Sequence, residues 1–278
     1  MPRSSHPASR REQRAAAKRI RSRRGIAIAI GSSVLVLGGL AALVVTSPGW
    51  PAVQETFFSW KAIKSSFPDV LGGFWLDVKM FVIVEVVVLI LGLVIALVRT
   101  STSPALFPFR LIATVYTDLF RGIPTILLVY LVGFGIPALQ LSGLPTNPVV
   151  LGGIALSLSY SAYVAEVYRA GIASIHRSQR DAALALGLTP SRALRHVILP
   201  QAIRRVGPPL LNDFISLQKD VALISILGPQ EAFRIAEITA ASTFNYSPLI
   251  AAAVLYLAVT VPMARLVDRL GGQSGVKA

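Results

Sequence analysis

"VKMFVIVEVVVLILGLVIALV" occupies Val78–Val98, and its reading sets the class of the whole chain. The hydrocarbon core of a bilayer is about 30 Å thick and takes about 20 apolar residues in a helix. This stretch has that length, with Lys79 at its edge and one acid, Glu85, inside it. Four others read the same way. Ile26–Thr46 is a charge-free run of similar length, and Ser247–Ala264 is another. Gly122–Ala165 carries no charge at all, but "PALQLSGLPTNP" (Pro137–Pro148) has the Pro, Gly and Asn of a hairpin loop. That divides the region into spans near Ala113–Pro137 and Val149–Tyr168. "VGPPLLNDFISLQKDVALISILG" (Val206–Gly228) makes a sixth span if Asp213, Lys219 and Asp220 face protein or water instead of lipid.

The composition agrees. The chain is 54% hydrophobic and only 14% charged, against about 25% charged in soluble domains. The expected fold class is an all-α integral membrane protein with about six transmembrane helices. The first apolar run is too long for a signal-peptide core and no A-x-A site follows it, so it reads as a retained anchor. There is no Cys, and the three His (His6, His176, His196) have no metal-ligand spacing. No G-x-x-x-x-G-K-[ST] loop is present, so ATP chemistry belongs to a partner.

Six spans place both termini on one side. Nine Lys and Arg precede the first span, which makes that side cytoplasmic. On this topology the inner segments hold 22 of the 27 basic residues, while the outer loops hold Lys61, Lys64 and Arg234. The formal charge of +14 is thereby explained without nucleic acid. The first 25 residues, "MPRSSHPASRREQRAAAKRIRSRRG", read as a loosely ordered basic tail drawn to anionic membrane lipid. No aromatic interleaving or recognition motif accompanies the charge.

The longest inner loop between spans, Ile172–Arg205, contains "RDAALALGLTPSRALRHVILPQAIRR" (Arg180–Arg205). Good helix formers end at Gly187, a left-handed stop. Thr189-Pro190 then reads as an N-cap followed by Pro at the first helical position. Leu194, Val197 and Ile198 fall on one face at i, i+3, i+4, and Pro200 closes the second helix. Three roles fit two short amphipathic helices here: an interfacial helix in the headgroups, a DNA-binding helix-turn-helix, or a docking element for a cytoplasmic subunit. About 30 residues between spans cannot bury the core of a DNA-binding module.

Asp181-Ala182-Ala183, Gly187, Val197, Leu199 and Pro200 fall at the spacing of the EAA loop, E-A-A-x₃-G-x₉-[IV]-x-L-P, and so resemble the permease subunits of ABC importers. Asp181 stands for the usual Glu and Val197 at a position often held by Ile. The resemblance implies that the loop couples to an ATPase subunit, small Ala residues allowing close approach. It extends over roughly residues 70–268. "YTDLFRGIP" (Tyr116–Pro124) is similar to the Y-x-E-L-F-R-G-T-P segment of polar amino acid permeases, with Asp118 for Glu and Ile123 for Thr. "SYSAYVAEVYRAGIASI" (Ser159–Ile175) and "PPLLNDFISLQKD" (Pro208–Asp220) also look like the corresponding segments, but Val221-Ala222 replaces the usual Thr-Ser.

On this reading the chain divides into a basic tail (1–25), an extra first helix (26–46), an extracytoplasmic loop (47–69) and a permease core (70–268). The core contains the coupling loop 172–205, and a short cytoplasmic tail (269–278) follows. Ser159, Tyr163 and Glu166 share a helix face over two turns. Glu166 can meet a substrate ammonium and the hydroxyls its carboxylate, with Asp118 placed on the pathway by the resemblance. Equally, Glu166 pairs with Arg169 or Lys219 and only holds helices together. The resemblance further implies partners: ABC ATPase subunits that bind ATP and Mg, a second permease chain, and an extracytoplasmic amino-acid-binding protein. The expected home is a bacterial inner membrane, and the chain itself is not an enzyme. An ion-coupled secondary transporter or channel is the alternative.

Overall fold

A computed structural model describes residues 10–273, and its elements are helical. The chain separates into two units, up to Thr56 and from Phe57 on. In the first, α1 (Arg10–Val45) contains a membrane-length apolar stretch, Ile28–Val45. Residues 1–9 of the expected tail lie outside the described region. From Arg10 the tail is helical, not loosely ordered, because Arg, Ala, Glu, Gln and Lys are all strong helix formers. The helix stops at Thr46-Ser47-Pro48-Gly49, where the Thr46 hydroxyl donates back to the Ala42 carbonyl at 2.7 Å. A short helix, α2 (Trp50–Phe57), follows within the segment expected to be an outer loop.

The second unit begins with α3 (Trp60–Thr100), 41 residues long and capped by the Ser59 hydroxyl. It starts well before the apolar run at Val78, with Pro68 inside it. After a 3₁₀ turn (Pro104–Leu106) come α4 (Phe107–Gly122) and α5 (Thr125–Ala138). The span expected at Ala113–Pro137 is therefore broken, with a bend of 105° between these two helices. Pro124 has no N–H to continue a helix and biases Ile123 toward extended backbone, seen at φ −92°, ψ 130°. The loop after α5 turns through Gln140 and Gly143, both at positive φ. Asn147 then caps α6 (Pro148–Ala173) through the Val149 and Val150 amides.

Two short helices follow, α7 (Arg177–Ala185) and α8 (Pro190–Ala193). A π-helical turn (Leu194–Ile198) leads directly into α9 (Leu199–Asp220). Pro200 does not close the helix. The Leu199 amide reaches back five residues to the Leu194 carbonyl, and the wider turn accommodates the proline ring that an α-helical turn would crowd. Pro208 and Pro209 also lie inside α9. A 3₁₀ segment (Val221–Leu227) ends at left-handed Gly228, and α10 (Ala232–Thr243) and α11 (Ser247–Gln273) complete the described chain.

Among the described residues four helices are long and apolar enough to cross a membrane, and five if α4 and α5 count as one bent span. The expected sixth span maps onto the charged second half of α9 and the 3₁₀ segment. The core lies where α3, α5, α6 and α9 meet, around Val84, Val88, Val129, Leu151, Leu156, Val164 and Leu217. Lipid is as apolar as leucine, so helices associate in it through close packing. Small residues permit that approach: a Cβ on Gly92 of α3 would lie 2.7 Å from Val164 and 3.2 Å from the Ala165 backbone of α6.

Candidate functional site

The loop between α6 and α9 is built from local caps. Gly187 sits at φ +81°, its amide donating to the Leu184 carbonyl (2.9 Å) and the Leu188 amide to that of Ala183 (3.1 Å). These are the two bonds of a Schellman motif, which satisfies carbonyls that a helix end leaves orphaned. Thr189 restarts the chain, its hydroxyl accepting from the Arg192 amide at 3.4 Å. Underneath, Ile175, Ile198 and Ala202 are buried with Ile172 and Leu194 against them, so the loop rests on its own small core. Of the face expected at Leu194, Val197 and Ile198, Ile198 is buried and the other two half-buried.

The motif residues divide by exposure. Ala183 is buried, while Ala182, Gly187 and Pro200 face outward and Leu199 is half-buried. Leu186, beside the glycine, is 83% exposed, and Leu184 is 38% exposed. An apolar pair next to a sharp turn makes a small contact surface of defined shape. Asp181 instead lines an open cavity of about 800 Å³ with Arg177, Arg180 and the end of α3 around Thr100 and Ser101. Side chains of α9 brace the loop. Arg205 donates to the Ser174 carbonyl at 2.6 Å, and the Gln201 amide to Gln179 at 3.4 Å.

The second constellation surrounds the break between α4 and α5. Ser159 is fully buried, and its hydroxyl lies 3.1 Å from that of Thr125, the first residue of α5. Tyr116 donates to the Leu158 carbonyl at 2.8 Å and lies 2.6 Å from the Ser161 hydroxyl. Tyr163 donates to the Arg121 carbonyl at 3.2 Å, filling one of the acceptors that the end of α4 leaves open. The Arg121 guanidinium stands 5.8 Å from the centre of the Tyr163 ring. Asp118 lies exposed on α4 and is not drawn into this cluster.

Glu166, one turn beyond Tyr163, is occupied by arginines. Arg99 of α3 approaches Oε2 at 2.9 Å, Arg169 binds both carboxylate oxygens, and Arg121 of α4 stands at 4.0 Å. Lys219, the other basic residue considered for it, is exposed. A single carboxylate thus ties the ends of three helices and leaves a local excess of positive charge. Arg99 stands one residue past the apolar run that ends at Val98, the sequence signal for a charge at the membrane edge.

Deeper in the bundle the balance reverses. Asp220 accepts from the Tyr160 hydroxyl at 2.8 Å. Glu85 lies in the electrostatic neighbourhood of Asp213 and Tyr168, and Asp213 Oδ2 is buried without a hydrogen-bond partner. Chains that keep acids and hydroxyls within membrane-length helices use them to face protein or a polar path.

A discontinuous span with hydroxyls and charges at the break is the kind of interior that membrane transport proteins use. Residues 103–272 match the binding-protein-dependent transport system inner membrane component family, and the chain belongs to it. Over 190 residues it is 38% identical to the arginine transport system permease protein ArtQ of Bacillus subtilis, covering 68% of this chain and 84% of that one. A putative glutamine transport system permease protein GlnP of Rickettsia felis is 34% identical over 188 residues, covering 67% and 84%. Among solved structures, an amino acid ABC transporter crystallised with histidines superposes with a TM-score of 0.66 at 31% identity, over 74% of this chain and 94% of that one. The MetNI methionine ABC transporter shares the fold, with a TM-score of 0.61 at 19% identity, over 72% and 94%.

Proposed function

We propose that this chain is the permease subunit of an ATP-driven importer and carries a polar amino acid across a bacterial inner membrane. The observation that carries the reading is the exposed turn at Leu184–Gly187, whose second helix runs without interruption into α9. A cytoplasmic ATPase subunit seated on that turn moves α9, and with it Asp213 and Asp220. ATP and Mg bind in the ATPase. A second permease chain completes the route, and an extracytoplasmic binding protein delivers substrate to the outer loops.

The polar amino acid is supported by relatives named for arginine and glutamine transport. It is supported too by the chemistry of the interior. A zwitterion needs donors for its carboxylate and acceptors for its ammonium. Arg121 and the first amides of α5 supply donors at the break, and Glu85, Asp213 and Asp220 supply acceptors deeper in. Glu166 serves here as the tie that fixes Arg99 and Arg169, while Ser159 and Tyr163 shape the break.

The test is affinity purification of the tagged chain from its native membrane, wild type beside Gly187→Asp. Co-purification of an ATPase subunit with wild type, depleted in the variant, supports the reading. A folded, monodisperse chain without ATPase in either sample refutes it and favours a gradient-driven carrier.

A further inference from the structure

Asp77 and Glu231 are the acids most deeply buried among the described residues, 2% and 0% exposed. They come from α3 and from the residue that caps α10, and both meet Tyr256 of α11. Glu231 is held as an ion is held: Oε1 accepts from the Arg234 amide and Oε2 from the Phe233 amide, each at 2.7 Å. Asp77 is held differently. Its Oδ2 accepts from the Tyr256 hydroxyl at 2.8 Å and, at 3.4 Å, from the Ala232 amide, while Oδ1 is buried with no partner. The Tyr256 hydroxyl also lies 3.2 Å from Glu231 Oε2, but it has one hydrogen and serves one acid at a time.

No positive charge compensates them. Among the described residues neither acid takes part in an ion pair. The Arg234 guanidinium is engaged by Glu237 at 2.7 Å. Lys79, two residues beyond Asp77, points to the far side of α3 and is exposed. The 3₁₀ segment Val221–Leu227 has no titratable residue, and α11 has no charged one before Arg265. Glu231 is offset by the amides of its helix start, but a second buried negative charge on Asp77, with one oxygen bare, has nothing comparable to offset it.

We propose that Asp77 and Glu231 form a proton-binding site, holding a single proton carried on Asp77. A carboxylic acid–carboxylate pair then joins α3 to the first turn of α10 beneath Tyr256. The proton removes one of the two charges and turns an acceptor-only group into a donor. The two side chains converge on one point, the Tyr256 hydroxyl, 2.8 Å from Asp77 Oδ2 and 3.2 Å from Glu231 Oε2. Packing favours a proton over a metal ion. One turn before Asp77, a Cβ on Gly73 would come within 2.7 Å of the Ala232 amide nitrogen and of the Glu231 carbonyl carbon. No group of three His, Cys, Asp or Glu side chains able to hold a metal ion occurs among the described residues.

The consequence has a definite sign. A proton bound by the folded site and not by the unfolded chain ties stability to pH, so the site stabilises the fold at low pH and ceases to once the proton leaves. The test is the melting temperature of the full-length chain, purified with whatever subunits accompany it, from about pH 5 to about pH 9. Wild type is compared with Asp77→Asn and Asp77→Ala. Asp77→Asn, neutral and able to donate, keeps the low-pH stability of wild type and loses that part of the pH dependence. Asp77→Ala melts lower than wild type at low pH, where wild type holds the proton. Infrared spectroscopy gives a second readout, a carbonyl stretch of a protonated carboxylic acid present in wild type and absent in Asp77→Asn.

Three outcomes overturn the proposal. The first is Asp77→Asn as unstable as Asp77→Ala, and the second is a pH slope unchanged in Asp77→Asn. The third is stabilisation of wild type but not Asp77→Asn by sodium or potassium at fixed pH, which assigns the site to a metal ion. If Asp77→Ala does not fold, the pH slopes and infrared spectra of wild type and Asp77→Asn decide alone.

Discussion

Substitutions at Gly187 separate two reasons for a glycine at the exposed turn. The first is conformational: φ is +81°, and a Cβ in the left-handed region costs roughly 1–2 kcal/mol. The second is access, since any side chain stands between the turn and a docking partner. Within the chain there is no crowding, because a Cβ at Gly187 meets nothing within 4 Å. A change to Ala therefore acts on the Schellman turn alone, and 1–2 kcal/mol shifts the closed turn against its opened form by roughly 5- to 30-fold. Asn tolerates the left-handed region far better but is larger than Ala. If conformation dominates, coupled uptake in proteoliposomes falls in the order Gly, Asn, Ala, Val, with melting temperature nearly constant. If access dominates, Ala outperforms Asn. The second order would refute the conformational argument while leaving docking intact.

Further outcomes follow from packing and charge. Glu166→Gln removes the partner of Arg99 and Arg169 and should destabilise the purified chain by about 1.5–3 kcal/mol, the range for hydrogen bonds to charged groups. A double-mutant cycle with Arg99→Ala checks the coupling, while uptake should fall without release of the ATPase. Gly73→Ala, whose Cβ would strike the backbone at Glu231 and Ala232, should destabilise by about 1–3 kcal/mol. Its neighbour Gly72 has open space, so Gly72→Ala should be neutral or stabilising by up to about 1 kcal/mol on melting.

The residues that proved readable in sequence are those whose structure is set by near neighbours. Gly187, Thr189 and Pro190 act within one helical turn, and the loop has the caps their order implies. The hairpin between α5 and α6 was legible for the same reason. Hydropathy located the apolar runs but is blind to direction, so the bend of 105° at Ile123-Pro124 was not anticipated, although that dipeptide disfavours a continuous helix. Pro200 misled in the opposite sense, because a π-helical turn absorbs what an α-helical one could not. Pairings between distant segments left no local mark. Arg99 and Glu166 are 67 residues apart, and Asp77 and Ala232 are separated by 155. Asp77 also sits one residue before the run quoted at the outset, and a search for charges inside that run passes it by.

The unbroken helical path from Pro190 to Asp220 has a mechanical meaning. At about 1.5 Å per residue its 31 residues reach about 45 Å, enough to traverse a bilayer. Such a path works as a push-rod, in which displacement at one end arrives at the other with little lost to bending. Beyond the π-helical turn, its soft point is Pro208-Pro209. Lacking amide hydrogens, these prolines leave the carbonyls of Arg204 and Arg205 without helical donors. That softening lies just ahead of Asp213 and Asp220, so the rod can flex at its elbow while the acids beyond it swing as one piece.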